Sequence, residues 1–135
     1  MANVIYPKYK EALLNGDTNI ELDASNVKCT LIDLADYTYS ALHDFYDDVA
    51  AAAKEEVSAN LSSKTTTNGT FDAADFTFSA ASGDPCEALI IWIDTGVAST
   101  SRLVAYYDTG VTGLPVTLNG GDVNVTVNAS GFFTL

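Results

Sequence analysis

Between residues 88 and 133 the chain carries a nearly continuous series of strand-length apolar runs separated by turn residues. The first, Ala-Leu-Ile-Ile-Trp-Ile from Ala88, has no polar position, the pattern of a strand buried on both faces. The second runs from Arg102 to Tyr107. Each leads into the same tetrapeptide, Asp-Thr-Gly-Val, at residues 94–97 and again at 108–111. A third run, 114–118, contains Pro115, which has no ladder donor and so belongs at a strand start or an edge. After Asn119-Gly120-Gly121-Asp122, Val123, Val125 and Val127 alternate with Asn and Thr at a period of two. Residues 131–135, Gly-Phe-Phe-Thr-Leu, stay apolar to the end, which predicts a packed C-terminus. The repeated Asp-Thr-Gly reads in two ways: strand-end turns of an antiparallel β domain, or the catalytic triplet of an aspartic protease.

The upstream half supports a β fold with a helix at its front. Pro7 suits a first helical turn, Tyr9, Ala12 and Leu13 share a face, and Gly16 is a natural terminator, so residues 6–14 predict a short helix. Period-two alternation then predicts a hairpin-like pair, 20–23 with 27–32. Ser40 is placed to cap a second short helix through Asp48, with Leu42, Phe45 and Tyr46 at helical spacing. Residues 50–60 favour a helix by propensity, but the β character of the downstream chain favours a strand from Glu55 onward. Thr-rich 62–67 suits an edge strand, Asn68-Gly69 a tight turn, and Phe76 and Phe78 another strand. The expectation is one domain, residues 1–135, mainly β: an antiparallel, jelly-roll-like β-sandwich with a short N-terminal helix and one further short helix.

Charge and cysteine usage narrow the function classes. Six basic residues against 18 acidic give a net charge of −12, which argues against gripping nucleic acid through its phosphates. Seven acids fall between Asp33 and Glu56, interleaved with Tyr37, Tyr39, His43, Phe45 and Tyr46. That stretch is either a solvated face or a surface aimed at a basic partner or at cations. Cys29 and Cys86 are too few for a disulfide framework and predict buried free thiols. No leader pattern opens the chain and no run reaches membrane-span length, so a soluble protein made in a cytoplasm is expected, with no membrane partner.

No constellation of residues supports catalysis. An aspartic protease needs one carboxylate from each of two halves, and the two triplets are only 14 residues apart. The single His43 has no ligand-spaced companion for zinc. Asp44, Asp47 and Asp48 lack the glycine and terminal glutamate of a calcium loop. Ser99-Thr100-Ser101 has no evident base, and Gly120-Gly121 lacks the succeeding Lys-Ser/Thr of a phosphate loop. The expectation is a protein without catalytic residues, cofactor or metal, whose Asp94 and Asp108 make turn hydrogen bonds and whose Gly96 and Gly110 permit the turns.

Three stretches carry a resemblance: Tyr-Pro-Lys-Tyr-Lys-Glu-Ala-Leu-Leu-Asn-Gly from Tyr6, Ala-Asp-Tyr-Thr-Tyr-Ser-Ala-Leu-His-Asp-Phe from Ala35, and Asp-Thr-Gly-Val-Thr-Gly-Leu-Pro-Val-Thr-Leu-Asn-Gly-Gly-Asp-Val from Asp108. Together they resemble a family of small structural proteins of tailed bacteriophages, over nearly the whole chain. The chain departs from the family pattern at Asn128-Ala-Ser-Gly131, where relatives carry a Trp-Asp-Asn-Gly type of approach. The resemblance implies a virion structural protein made in the host cytoplasm. Within that class a capsid decoration (cement) protein on the head surface is favoured, binding the major capsid protein and associating with itself as a homotrimer. A head-to-tail or tail component is the alternative, and a carbohydrate- or surface-binding β-sandwich module is a further one. The candidate partner-binding residues are Tyr6, Tyr9, Tyr37, Tyr39, His43, Phe45 and Tyr46, either as interface anchors or as a cap on the core.

Overall fold

The run without a polar position becomes the centre of the molecule. In the computed structural model, which describes residues 3–135, it forms a strand whose six residues are all buried. The strands are β1 (Val4–Ile5), β2 (Val27–Ile32), β3 (Lys54–Val57), β4 (Thr70–Phe71), β5 (Phe76–Phe78), β6 (Ala88–Ile93), β7 (Leu103–Tyr107), β8 (Val123–Val125) and β9 (Phe133–Thr134). One helix, α1, spans Pro7–Asn15. The fold is therefore mainly antiparallel β with a short N-terminal helix. Five strands make one sheet in the order β1-β7-β6-β2-β3, and two ribbons, β5-β8 and β4-β9, stand apart from it. β6 pairs with β2 along its whole length, from Val27↔Ile93 to Ile32↔Ala88, and with β7 on its other side.

Alternation along β6 sends Leu89, Ile91 and Ile93 to one face and Ala88, Ile90 and Trp92 to the other. Both faces are covered. The ribbons lie over the first, where Leu89 and Tyr107 share a cavity wall with Val125, Phe132 and Phe133. The segment 33–53 and α1 lie over the second, where Tyr46 stacks on Trp92 and Tyr39 packs against Tyr106. Covering both faces explains why β6 needs no polar position.

α1 forms where Pro7 occupies its first turn and stops at Gly16, whose φ is +67°. The Gly16 N–H reaches the Leu13 carbonyl and the Asp17 N–H reaches that of Ala12, the paired bonds of a Schellman ending. Tyr9 and Ala12 are buried, and the Tyr6 N–H ties the start of the helix to the Val104 carbonyl at 2.9 Å. A nine-residue helix is marginal alone, and these contacts dock it.

Several local expectations give way to tertiary structure. No strand forms over residues 20–23. Leu22 is buried there without a ladder partner, and Ile20 accepts the Tyr9 hydroxyl through its carbonyl. The partners of β2 are β3 and β6, far along the chain. The predicted second helix from Ser40 shortens to a 3-10 turn, Tyr46–Asp48. The Ser40 hydroxyl caps one turn by accepting the Leu42 N–H, and the Asp48 carboxylate pulls in the N–H groups of Asp44 and Phe45. Residues 62–67 are not a strand either, and only Thr65 bridges to Asp72. The run 114–118 contributes a single bridge, Val116 to Cys86.

The strand expected from Glu55 is present as β3, an edge of the large sheet. Its exposed backbone is guarded by its own carboxylates. Glu55 accepts the Asp84 N–H and Glu56 accepts the Ser82 N–H, which lays the 82–84 loop beside an edge that would otherwise invite another strand. Cys29 and Cys86 are both free and buried. At the C-terminus Phe133 pairs with Phe71, whereas Leu135 remains exposed.

Candidate functional site

The aromatic cover on the sheet contains all seven residues singled out from sequence, and it divides them. Tyr6, Tyr9, Tyr37 and Tyr46 are buried in the core, while Tyr39, His43 and Phe45 keep part of their surface. The four buried rings fix the cover to the sheet. Of the seven, only Tyr39, His43 and Phe45 present appreciable surface to solvent.

Two of the buried rings, Tyr6 and Tyr37, are joined by their hydroxyls. The Tyr6 and Tyr37 oxygens lie 2.8 Å apart, and the Tyr37 oxygen lies 2.8 Å from His43 Nδ1. One consistent proton arrangement has Tyr6 donating to Tyr37 and Tyr37 donating to His43 Nδ1. Burial, and then the neighbouring tyrosines, hold the Tyr6 phenol far above its ordinary pKa. Tyr37 is pushed up to about 12, chiefly by burial. These phenols are neutral donors at physiological pH and are unsuited to act as bases. Tyr37, Tyr39, Tyr106, Leu34, Thr38 and Asp108 line a shallow depression of about 290 Å³ above them.

A second network lies deeper. Trp92 and Tyr46 stack with centroids 3.7 Å apart and planes 10° from parallel. Lys54 Nζ sits 3.9 Å from the Tyr46 ring centre on its way to solvent. Trp92 Nε1–H donates to Thr30 Oγ1 at 2.8 Å, and that hydroxyl is 2.8 Å from the Tyr46 oxygen. Thr30 is fully buried, so one threonine satisfies both aromatic polar groups.

The two Asp-Thr-Gly turns diverge. In the first, Asp94 Oδ1 accepts the Gly96 N–H and Oδ2 pairs with Lys28 at 2.7 Å. The hydrogen bond to Lys28 leads the effects that hold the Asp94 carboxyl below its ordinary pKa. In the second turn Asn3 does the work expected of Asp108. Its Oδ1 accepts the N–H groups of Asp108 and Thr109, while Asp108 itself meets the Tyr106 hydroxyl. Neither Asp faces the other as a catalytic dyad would. Asp94→Asn should be mild, costing about 0.5–1 kcal/mol as partly exposed ion pairs do. Because the folded pKa is depressed, the contribution is complete above the ordinary carboxylate value of about 4 and is lost as pH falls below it. Thermal midpoints of the two proteins should therefore converge in acid, and a gap that widens there would refute the assignment.

Two further features were not legible in sequence. Asp33, Glu55 and Asp84, distant in the chain, bring carboxylate oxygens within 4.8 Å of one another. Asp33 accepts the Ala35 N–H and Glu55 the Asp84 N–H, so loop anchoring accounts for their convergence. Close by, Cys86 is pushed up to about 12 by burial first and then by Glu55, Glu87, Asp33 and Asp84, which leaves it an unreactive thiol. The larger cavity, about 430 Å³, lies on the opposite side of the sheet. It runs between the end of β7 and the ribbon strands, with Leu89, Tyr107, Val125, Phe132 and Phe133 inside it. Its residues come from separate stretches of the chain, each of which reads locally as ordinary strand or turn.

No helix among the described residues is long and apolar enough to cross a membrane. No protein-family model matches the chain, and no curated protein matches it.

Proposed function

We propose that this protein is a non-catalytic virion structural protein, a capsid decoration (cement) protein that binds the assembled head shell and ties neighbouring capsomers together. The observation that carries the reading is the pair Leu14 and Leu42, 88% and 78% exposed. They belong to α1 and to the 33–53 segment, and Tyr6, the residue that precedes the helix, bonds Tyr37 and packs against Tyr39 of that segment. Nearly bare leucines, one at the end of α1 and one next in sequence to the partly exposed His43, suit apolar contact with a partner on a domain whose core is built from other side chains.

Charge supports the same reading. Lys8 pairs with Glu11, Lys28 with Asp94, and Arg102 lies 3.9 Å from Asp17. Lys54 covers Tyr46 and Lys64 bonds the Ser25 carbonyl. The cations are largely spent inside the domain, and the surplus of acids is free to meet a basic patch on the shell, which guides docking and fixes orientation.

The test is rebinding to shells stripped of the protein, with bound copies counted. On the order of several hundred copies per shell are expected, as many seams require. The pair Leu14→Ser and Leu42→Ser should weaken rebinding at least tenfold while the thermal midpoint holds, because both side chains are already in water. A handful of copies at one vertex would instead indicate a head-to-tail or tail component, and unchanged rebinding by the double variant would remove this face from the interface.

A further inference from the structure

The large cavity beneath the ribbons is unlike the rest of the surface. The chain carries a net charge of −12, yet no Asp, Glu, Lys, Arg or His among the described residues lines this space. Its floor is apolar and aromatic: Leu89, Tyr107, Val125, Phe132 and Phe133. Tyr107, Phe132 and Phe133 are half-buried, so part of each remains open. Its rim is polar and neutral: Asn3, Thr109, Thr126, Asn128 and Ser130. At about 430 Å³ it falls within the range of small-ligand sites.

The rim groups are not all committed. Asn3 is largely used, with Oδ1 accepting from Asp108 and Thr109 and one Nδ2 N–H donating to the Thr109 carbonyl. Asn128 Oδ1 accepts the Ser130 N–H at 2.8 Å, which leaves its two amide N–H donors without an acceptor among the described residues. The Thr126 and Ser130 hydroxyls have no partner there either. The Tyr107 hydroxyl donates to the Phe132 carbonyl at 2.8 Å, which fixes that ring as a platform.

From this arrangement we infer that the cavity is a binding site for a neutral sugar unit of a glycan. An ionic ligand finds no countercharge here, and an anion is repelled by the whole domain. A wholly apolar ligand would strip water from the uncommitted Asn128, Thr126 and Ser130 groups and return no hydrogen bond. A neutral pyranose meets both halves of the site. Its C–H faces lie on the aromatic floor and its hydroxyls bond the rim, through donors and acceptors that bear no charge. The mouth is open, so affinity for one unit is of millimolar order, and an array of copies would gain by avidity. Exposed Tyr and Trp faces with carboxylates would also serve a sugar, but the aromatic floor here is Tyr107, Phe132 and Phe133. Trp92 is buried, and the cavity has no carboxylate.

The test uses the whole free protein, isotopically labelled, titrated with chitotriose, cellotriose and maltotriose as neutral probes. Sialyllactose serves as the anionic comparison and cyclohexanol as the apolar one. At least one neutral oligosaccharide should give saturable shifts confined to the amides of 107–111 and 125–133, with weaker response to the other two probe classes. Thr126→Val and Ser130→Ala should each weaken that binding about three- to tenfold, one hydrogen bond apiece, with the thermal midpoint unchanged. The inference is overturned if every neutral sugar, at concentrations on the order of tens of millimolar, leaves these amides unmoved. It is equally overturned if the shifts gather around Tyr39, if both variants bind as well as the parent, or if cyclohexanol matches the best sugar. None of these outcomes bears on shell rebinding, which uses the opposite face of the sheet.

Discussion

Trp92→Ala should destabilise the domain by about 3–5 kcal/mol, the range for removing a large buried aromatic side chain. Trp92 is 5% exposed in the strand at the middle of the large sheet, and its loss leaves Tyr46 with a bare ring face. A subtler change at the same place separates packing from hydrogen bonding. Thr30→Val keeps the shape of the side chain and removes the one oxygen that serves both Trp92 Nε1 and the Tyr46 hydroxyl. Both groups are then buried without a protein partner, at about 2–4 kcal/mol together. In a Tyr46→Phe background the same Thr30→Val change should cost less, because one of the orphaned groups is already gone. Urea unfolding of the four proteins measures the coupling directly. A Thr30→Val midpoint within error of the parent would show that water reaches these groups, and would dismantle the network of Thr30, Tyr46 and Trp92.

How far this arrangement was legible in sequence depends on the range of the interaction that decides each element. β6 was readable because a run without polar positions already states that both faces are buried, and β7 because its apolar run ends in turn residues. The start and stop of α1 were readable because Pro7 and Gly16 act on their own backbone. The 20–23 segment does not form its expected strand because alternation registers burial, and Leu22 is buried without any ladder. The partners of β2 lie far beyond the reach of a local pattern. Ser40 signals a turn start correctly, but Asp48 bonds the N–H groups of Asp44 and Phe45 and draws the next turn tight. The aromatic residues between Tyr37 and Tyr46 do act as a set. Whether a ring faces inward or outward depends on the sheet beneath it, and Tyr37 and Tyr46 turn in, where Tyr39 and Phe45 remain partly out. The neutral cavity was invisible, since Tyr107, Val125 and Phe133 meet only after the ribbons fold over the sheet.

Gly131→Ala should be far more damaging than Gly110→Ala, although it is the glycine of the repeated Asp-Thr-Gly that the sequence marks for attention. Both glycines have positive φ, +87° at Gly131 and +71° at Gly110, and a left-handed residue with a Cβ carries about 1–2 kcal/mol of strain. At Gly110 that strain is all there is, since a Cβ would have nothing within 4 Å. From the sequence, Gly110→Val is expected to unfold the domain or break assembly; the open space bears on the smaller Gly110→Ala change, which should be a modest loss. At Gly131 a Cβ would stand 2.7 Å from the Phe71 carbonyl oxygen and 2.8 Å from Thr70 Cγ2. The same carbonyl accepts the Phe132 N–H at 2.7 Å, and Phe71 pairs with Phe133 in the β4-β9 ribbon. Relieving the clash therefore means moving the ribbon, breaking that bond and disturbing the packing of Phe71 against Phe132 and Phe133. Strain and overpacking together come to about 3–5 kcal/mol, a fall in thermal midpoint of roughly 10–15 °C for a chain of this length. Gly110→Ala should fall by about a third of that or less. Equal midpoints for the two variants, or a larger fall for Gly110→Ala, would mean that the ribbon does not pass where Phe71 places it, and the cavity it roofs would have to be redrawn.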